Sequence, residues 1–301
     1  VLQHIGLLLW RSPQDHGVAG LSLVMVARAL RGAVAVRGEA LDAPAPLLRA
    51  DGAGLTIEGR SILSPVDLVF PRGRMVGIIG HNGSGKSTLL KLLARQIQPT
   101  VGRIMLGDAA LPGLGARAFA RQVAYLPQAI PMQTGLTGRE LVAFGRYAWH
   151  GPLGRIGASG HAAIAEAMRL SGTAPFADRL IDHLSGGERQ RVWIAMLIAQ
   201  ESGFLLLDEP IAALDLAHQI EVLGVLRSLC AIRNAGVILV LHDINMAARF
   251  CDEIVALRAG TVAVQGAPAA IMRPDVLQSI YDIPMRVLTD PASGATFGMP
   301  A

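Results

Sequence analysis

Three short apolar runs constrain this chain more than any other feature: Met75–Ile79 (MVGII), Phe204–Leu207 (FLLL) and Val237–Leu241 (VILVL). None alternates apolar with polar residues, so each is expected to be a strand buried on both faces, as in a parallel sheet covered by helices. Helical sequence alternates with them, at Lys86–Gln96, Gly187–Gln200, Leu216–Ile232 and Ile244–Cys251. This order predicts an α/β fold with a mostly parallel core sheet. Leu55–Ile57 and Val66–Phe70 read as half-buried strands separated by a turn-like Gly-Arg-Ser, and Arg121–Tyr125 reads as a further strand. From Pro131 to Ser185 the sequence is helical and loop-rich, with Gly and Pro breaks at 151–160, which predicts an inserted helical lobe over about 131–185.

Composition narrows the function classes. Hydrophobic residues make up 51% but aromatics only 4%, so the core is expected to be Ala, Val, Ile and Leu. The net charge is +4 and the basic residues are scattered, so no nucleic-acid arm is expected. Cys230 and Cys251 lie in no metal-binding spacing and read as two reduced, packed thiols of a reducing compartment. No run reaches the roughly 20 apolar residues of a membrane span. The stretch Val18–Ala27 is stopped by Arg28 and Arg31, and no basic segment precedes the first apolar stretch as in a secretory signal. The mean hydropathy of +0.43 nevertheless suits a domain that docks on something. Residues 1–46 are apolar, dotted with arginine, and end at Pro44 and Pro46. They are expected to be a disordered leader or an over-extended start, with a membrane-surface helix as the functional alternative.

The first apolar run leads into Gly80-His81-Asn82-Gly83-Ser84-Gly85-Lys86-Ser87-Thr88, which satisfies the P-loop pattern GxxxxGK[ST]. Glycines let successive backbone N–H groups converge on phosphate oxygens, and the helix opening at Lys86 aims its positive end at the same point. Lys86 adds a mobile point charge, and Ser87 can ligate Mg²⁺. The chain has only two lysines, Lys86 and Lys91, against 25 arginines. Base composition accounts for the scarcity, while phosphate geometry accounts for the one at 86, because a guanidinium fork is too broad for a ring of N–H groups. The second run delivers Asp208 and Glu209 at its carboxyl end, where ligands of open α/β sheets bind. Asp208 is placed to hold Mg²⁺, and Glu209 to polarise an attacking water. These motifs predict a nucleotide and Mg²⁺ as cofactors.

Leu184-Ser185-Gly186-Gly187-Glu188 places a second glycine-rich helix start roughly 100 residues after the first. One γ-phosphate needs no two such cradles in one chain, so a homodimer is expected, with this motif facing the partner's nucleotide. Leu-Ser-Gly-Gly-Gln/Glu is the signature of the ATP-binding-cassette (ABC) ATPases, and the chain resembles that family from about Leu47 to about Arg286, leaving 287–301 as a C-terminal tail. The resemblance implies a P-loop ATPase with an antiparallel β subdomain and an inserted helical lobe, and that the nucleotide is ATP. It implies that Gln128 senses Mg²⁺ and the attacking water, that His242 contacts the γ-phosphate, and that Asp215 lies at the dimer seam beside Ser185, Gly186, Gly187 and Glu188 acting in trans. Three departures stand out, the first being that the segment before Leu47 has no counterpart in the family core. Asp208-Glu-Pro-Ile-Ala-Ala-Leu-Asp215 has Ala212 where members often carry a hydroxyl. The aromatic that commonly stacks on adenine falls near Ile57, with Arg60 nearby, which implies aliphatic packing of the base.

Thr137–Arg155, containing Tyr147, Trp149 and His150, resembles the region beside the permease groove of importer ATPases, particularly those for ferric siderophores of the hydroxamate type. Leu241–Arg249 and Ile280-Tyr-Asp-Ile-Pro-Met285 resemble the same group. Haem and cobalamin importer ATPases are near relatives. The resemblance implies a peripheral protein on the cytoplasmic face of the cell membrane. Its partners are membrane permease subunits and, indirectly, a periplasmic or surface siderophore-binding protein, with no nucleic acid. Nucleic-acid-linked cassettes carry a long coiled coil or two cassettes per chain, and neither pattern is present here. An exporter ATPase is the remaining alternative, disfavoured by the importer-like lobe.

Overall fold

A computed structural model describes residues 47–129, 135–151 and 154–301. The leader expected over 1–46 and the first residues of the expected lobe lie outside the described residues. The strands are β1 Leu48–Ile57, β2 Arg60–Phe70, β3 Met75–Ile79, β4 Val101–Leu106, β5 Ala109–Ala110, β6 Val123–Leu126, β7 Phe204–Leu207, β8 Gly236–Val240, β9 Glu253–Arg258, β10 Thr261–Gly266, β11 Met285–Thr289 and β12 Thr296–Pro300. The helices are α1 Lys86–Leu93, α2 Ala116–Gln122, α3 Gly138–Phe144, α4 Tyr147–His150, α5 Ala158–Leu170, α6 Gly186–Gln200, α7 Leu216–Arg233, α8 Ile244–Phe250, α9 Pro268–Ile271 and α10 Pro274–Tyr281.

The three apolar runs become the centre of a six-stranded sheet in the order β10-β9-β3-β8-β7-β6, parallel except for the edge strand β10. Their lack of alternation has a direct cause. Met75 and Ile79 of β3, Leu205 and Leu207 of β7, and Val237 and Leu239 of β8 enter one core, which they share with the lobe helices and α7. The intervening Val76, Ile78, Phe204, Leu206, Ile238 and Val240 enter a second core on the opposite face. A strand with apolar layers on both sides has no polar position to spare.

The second core is closed by α1 and by an antiparallel sheet, β2-β1-β4-β5. Leu89, Leu90, Leu92 and Leu93 of α1 are all buried there. Burial of each such side chain contributes about 1.5–3 kcal/mol, so the helix that opens at the glycine loop is held rigidly between two sheets. One expected strand is corrected. Arg121 belongs to helix α2, and the strand begins at Val123. No residue of α2 is buried, so its sequence carries no periodic signal, whereas Val123, Ala124 and Leu126 enter the two cores. Beyond the sheet, β11 and β12 form a hairpin whose register pairs Met285 with Pro300 and Thr289 with Thr296.

Candidate nucleotide-hydrolysis site

The glycine loop leaves β3 through Gly80, whose φ is 139°. A Cβ there would stand 2.0 Å from the Leu257 carbonyl oxygen of the neighbouring strand, so only glycine fits. Gly85 caps α1 in the left-handed region, with φ 99°. Between them, His81, Asn82 and Gly83 are exposed, while Ser84, Gly85 and Lys86 are buried. Lys86 is 5% exposed, and its Nζ donates to the carbonyls of Gly80 at 2.8 Å and His81 at 2.7 Å. Burial lowers its pKa, with the charges of Glu209 and Asp208 acting in the opposite sense. Lys91, one turn on, is exposed.

β7 ends in Asp208, which is 1% exposed and bonded through its N–H to the Leu126 carbonyl of β6 at 2.9 Å. Ser87 Oγ donates to Asp208 Oδ1 at 2.9 Å, which brings the helix start and the strand end together across 121 residues of sequence. Burial raises the Asp208 pKa, while the Ser87 hydrogen bond pulls the other way. A hydroxyl and a buried carboxylate, both hard oxygen donors beside a phosphate-type loop, fit a Mg²⁺ ion.

Glu209 adopts a left-handed backbone conformation, φ 53°, which costs about 1–3 kcal/mol for a non-glycine residue. Its carboxylate is held from two sides. Gln128 Nε2 donates to Oε2 at 2.8 Å, and His242 Nε2 lies 2.6 Å from Oε1. His242 follows β8, whose end is fixed by the Leu241 N–H bond to Ile78 at 3.1 Å. Thus Ser87 and Lys86 of the loop, Asp208, Glu209, Gln128 and His242 converge at the carboxyl edge of the parallel sheet.

The remaining expected residues lie apart. Ile57 ends β1, is 52% exposed, and pairs in register with Arg60. Ser185 caps α6, accepting from the Glu188 N–H at 3.2 Å, while the Glu188 carboxylate accepts from the Ser185 N–H at 2.8 Å. Asp215 caps α7 and faces His218 at 2.8 Å. Ser185, Gly186 and Asp215 are exposed, and Gly187 packs against Leu214. Among the described residues, no hydrogen bond or ion pair joins Ser185–Glu188 or Asp215 to the glycine loop.

Two glutamines that sequence reasoning missed hold the segment between Glu209 and Asp215. Gln190 of α6 donates to the Pro210 carbonyl at 3.1 Å. Gln219 of α7 donates to those of Ile211 at 3.2 Å and Leu214 at 3.0 Å. They fasten the loop around Ala212 through its backbone, a tertiary approach with no local pattern in the sequence. On the lobe, Trp149 is clasped between Arg121 and Arg146, each 5.1 Å from the ring. Phe144, Tyr147 and Trp149 are nonetheless 54%, 50% and 38% exposed, a surface rather than a core arrangement. Cys230 and Cys251 are free and buried, and burial pushes both thiols up to about 12, so neither is a nucleophile.

A glycine loop between a central parallel strand and a buried helix, facing an Asp-Glu strand end, defines a P-loop nucleotide hydrolase. Comparisons with known proteins narrow the class. Residues 63–212 match the family described as ABC transporter. The achromobactin transport ATP-binding protein of Dickeya dadantii strain 3937 is 41% identical, over 77% of this chain and 86% of that one. The iron(3+)-hydroxamate import ATP-binding protein of Bacillus subtilis strain 168 is 39% identical, over 79% of this chain and 88% of that one. The hemin import ATP-binding protein of Rhodococcus jostii strain RHA1 is 40% identical, over 84% and 86%. A bacterial ABC transporter cassette solved as a dimer superposes with a TM-score of 0.67 at 26% identity, covering 73% of this chain and 98% of that one. The chain belongs to the ABC transporter family, as an ATP-binding cassette that hydrolyses ATP.

Proposed function

We propose that this cassette works as a homodimer on the cytoplasmic face of a membrane importer, coupling Mg-ATP hydrolysis to uptake of an iron(III)-siderophore of the hydroxamate type. The observation that carries the catalytic part is Glu209, suspended between Gln128 and His242 at the end of β7. In that position its carboxylate is the general base for a water attacking the γ-phosphate, with Gln128 orienting that water and His242 contacting the phosphate. Gly80 to Thr88 cradle the phosphates. Lys86 exchanges its two carbonyl partners for phosphate oxygens, which offset the burial of its ammonium. Ser87, Asp208 and Gln128 hold Mg²⁺, which neutralises phosphate charge when bound. Ile57 packs on the base.

The partner supplies Ser185, Gly186, Gly187, Glu188 and Asp215. The exposure of Ser185, Gly186 and Asp215 in a single chain supports that assignment, as does the dimeric state of the related cassette. The exposed aromatics Phe144, Tyr147 and Trp149 form the face for the permease subunits, which receive cargo from a siderophore-binding protein. Among the described residues no helix is long and apolar enough to cross a membrane. Iron-siderophore cargo is supported by the achromobactin and iron(3+)-hydroxamate relatives; the hemin relative makes haem the second reading.

The test is reconstitution of the cassette with a candidate permease and binding protein in vesicles. Ferric hydroxamate siderophore is expected to raise ATP turnover several-fold, with vesicle uptake of iron. Stimulation by hemin or cobalamin alone would reassign the cargo, and stimulation by nucleic acid without a permease would reject the importer reading.

A further inference from the structure

The hydrolysis site draws on the sheet and the glycine loop, yet the last elements of the fold reach it from the side. The hairpin β11–β12 is fastened to α8, the helix that begins two residues after His242. Asn245 Nδ2 donates to the Gly298 carbonyl at 3.1 Å, and Asn245 Oδ1 accepts from the Gly298 N–H at 2.8 Å. The amide thus spends its donor and its acceptor on one residue, as a strand neighbour would. Gly298 also packs closely: a Cβ there would stand 2.8 Å from Leu277 Cδ1 and 3.7 Å from Ile244 Cγ2, so the Leu277 side chain would have to shift.

A second fastening comes from Tyr281, the last residue of α10. Its ring meets the ring of His81, in the glycine loop, edge-on at 5.7 Å and 76°. Its buried hydroxyl has no hydrogen-bond partner, so the ring rather than the hydroxyl makes the contact. Between the two fastenings lies a cleft of about 230 Å³ lined by His242, Asp243, Ile244, Tyr281, Ile283 and Met285. His242 therefore stands on a segment held at one end by β8 and at the other by the hairpin.

We propose that the C-terminal hairpin and Tyr281 are positioning elements that set His242 relative to the glycine loop, so that hydrolysis depends on packing far from the nucleotide. The proposal rests on the reading that His242 acts with Glu209. The separation of 2.6 Å leaves little tolerance, and a displacement of 1 Å in a catalytic group can cost on the order of 100-fold in rate. Neither Asn245 nor Tyr281 touches Glu209 in the hydrogen bonds described above, so both act through His242 and His81.

The experiment compares full-length Asn245→Ala, Asn245→Asp, Tyr281→Ala, Tyr281→Phe and His242→Ala for kcat, KM for ATP and melting temperature. Asn245→Ala and Tyr281→Ala are expected to lower kcat about tenfold while KM shifts less than about twofold, the split of a group lost only from the transition state. Tyr281→Phe keeps the ring and is expected to restore kcat. Asn245→Asp keeps the acceptor but turns an oxygen on the Gly298 carbonyl, so an intermediate loss is expected; it is read in place of Asn245→Ala if the latter does not fold. Wild-type kcat in both alanine variants, with His242→Ala inactive, would overturn the positioning role alone. Full turnover in His242→Ala would overturn the reading beneath it. A fall in kcat no greater than the loss of folded protein, with a lowered melting temperature and full recovery on cooling, would show that the hairpin supports only the fold.

Discussion

The two halves of the expected composite site are built in opposite ways. The glycine-loop half is closed by long-range bonds: Ser87 to Asp208 spans 121 residues and Gln128 to Glu209 spans 81. The signature half is closed on itself within one helical turn, Ser185 with Glu188 and Asp215 with His218. One half is assembled by folding a single chain. The other is a pair of capped helix ends left facing solvent, which in the proposed dimer would meet the partner's nucleotide. In the proposed dimer, folding and dimerisation therefore control different parts of one reaction.

The largest expected effect breaks the first half. Lys86→Arg is expected to abolish ATP turnover, by at least about 100-fold, with the circular-dichroism spectrum unchanged, because Nζ is buried between two carbonyls and a planar fork is too wide there. Near-wild-type turnover would show that the loop does not confine its cation. A smaller effect separates the halves. Ser185→Ala removes a cap worth about 1 kcal/mol. The melting temperature is expected to fall by about 2–4 °C. Turnover should fall about tenfold at a temperature where the variant is fully folded, through the site completed in trans. A turnover loss no greater than the loss of folded protein would reduce Ser185 to a cap.

The smallest effect on stability has the opposite sign. Burial raises the Asp208 pKa, so its charged form destabilises the nucleotide-free protein. For a group with a raised folded-state pKa, the contribution to stability is full at low pH and is lost as pH rises through that value. Asp208→Asn, which keeps an acceptor for Ser87, is therefore expected to raise the melting temperature at neutral pH. The gain should shrink toward acid pH, and turnover should be lost. A melting temperature that falls at neutral pH would show that the carboxylate stabilises the empty site.

These contrasts follow what was legible in the sequence. β3, β7 and β8 were readable because both of their faces are buried, which leaves an unbroken apolar run. β4 was not, since its first three residues are exposed and only Ile104, Met105 and Leu106 turn inward. β10 alternates exposed and half-buried positions at the sheet edge, and the hairpin is largely exposed, so neither showed a core signal. The loop and the acidic strand end were legible as motifs because backbone geometry dictates their residues. The contact of His242 with Glu209, the two glutamines behind Ala212 and the Asn245–Gly298 pair depend on tertiary approach and had no local pattern. The sequence places Arg121 in a strand because a helix without a buried face has no period to read.

The most direct test of the central claim, one site shared between two chains, is the mass and turnover of Glu209→Gln in the presence of ATP. The variant is expected to bind ATP, to lose turnover by at least about 100-fold as expected for a lost general base, and to accumulate as an ATP-bound particle of twice the 31.7 kDa chain mass. Unchanged turnover, or an ATP-saturated particle of a single chain's mass, would contradict the account.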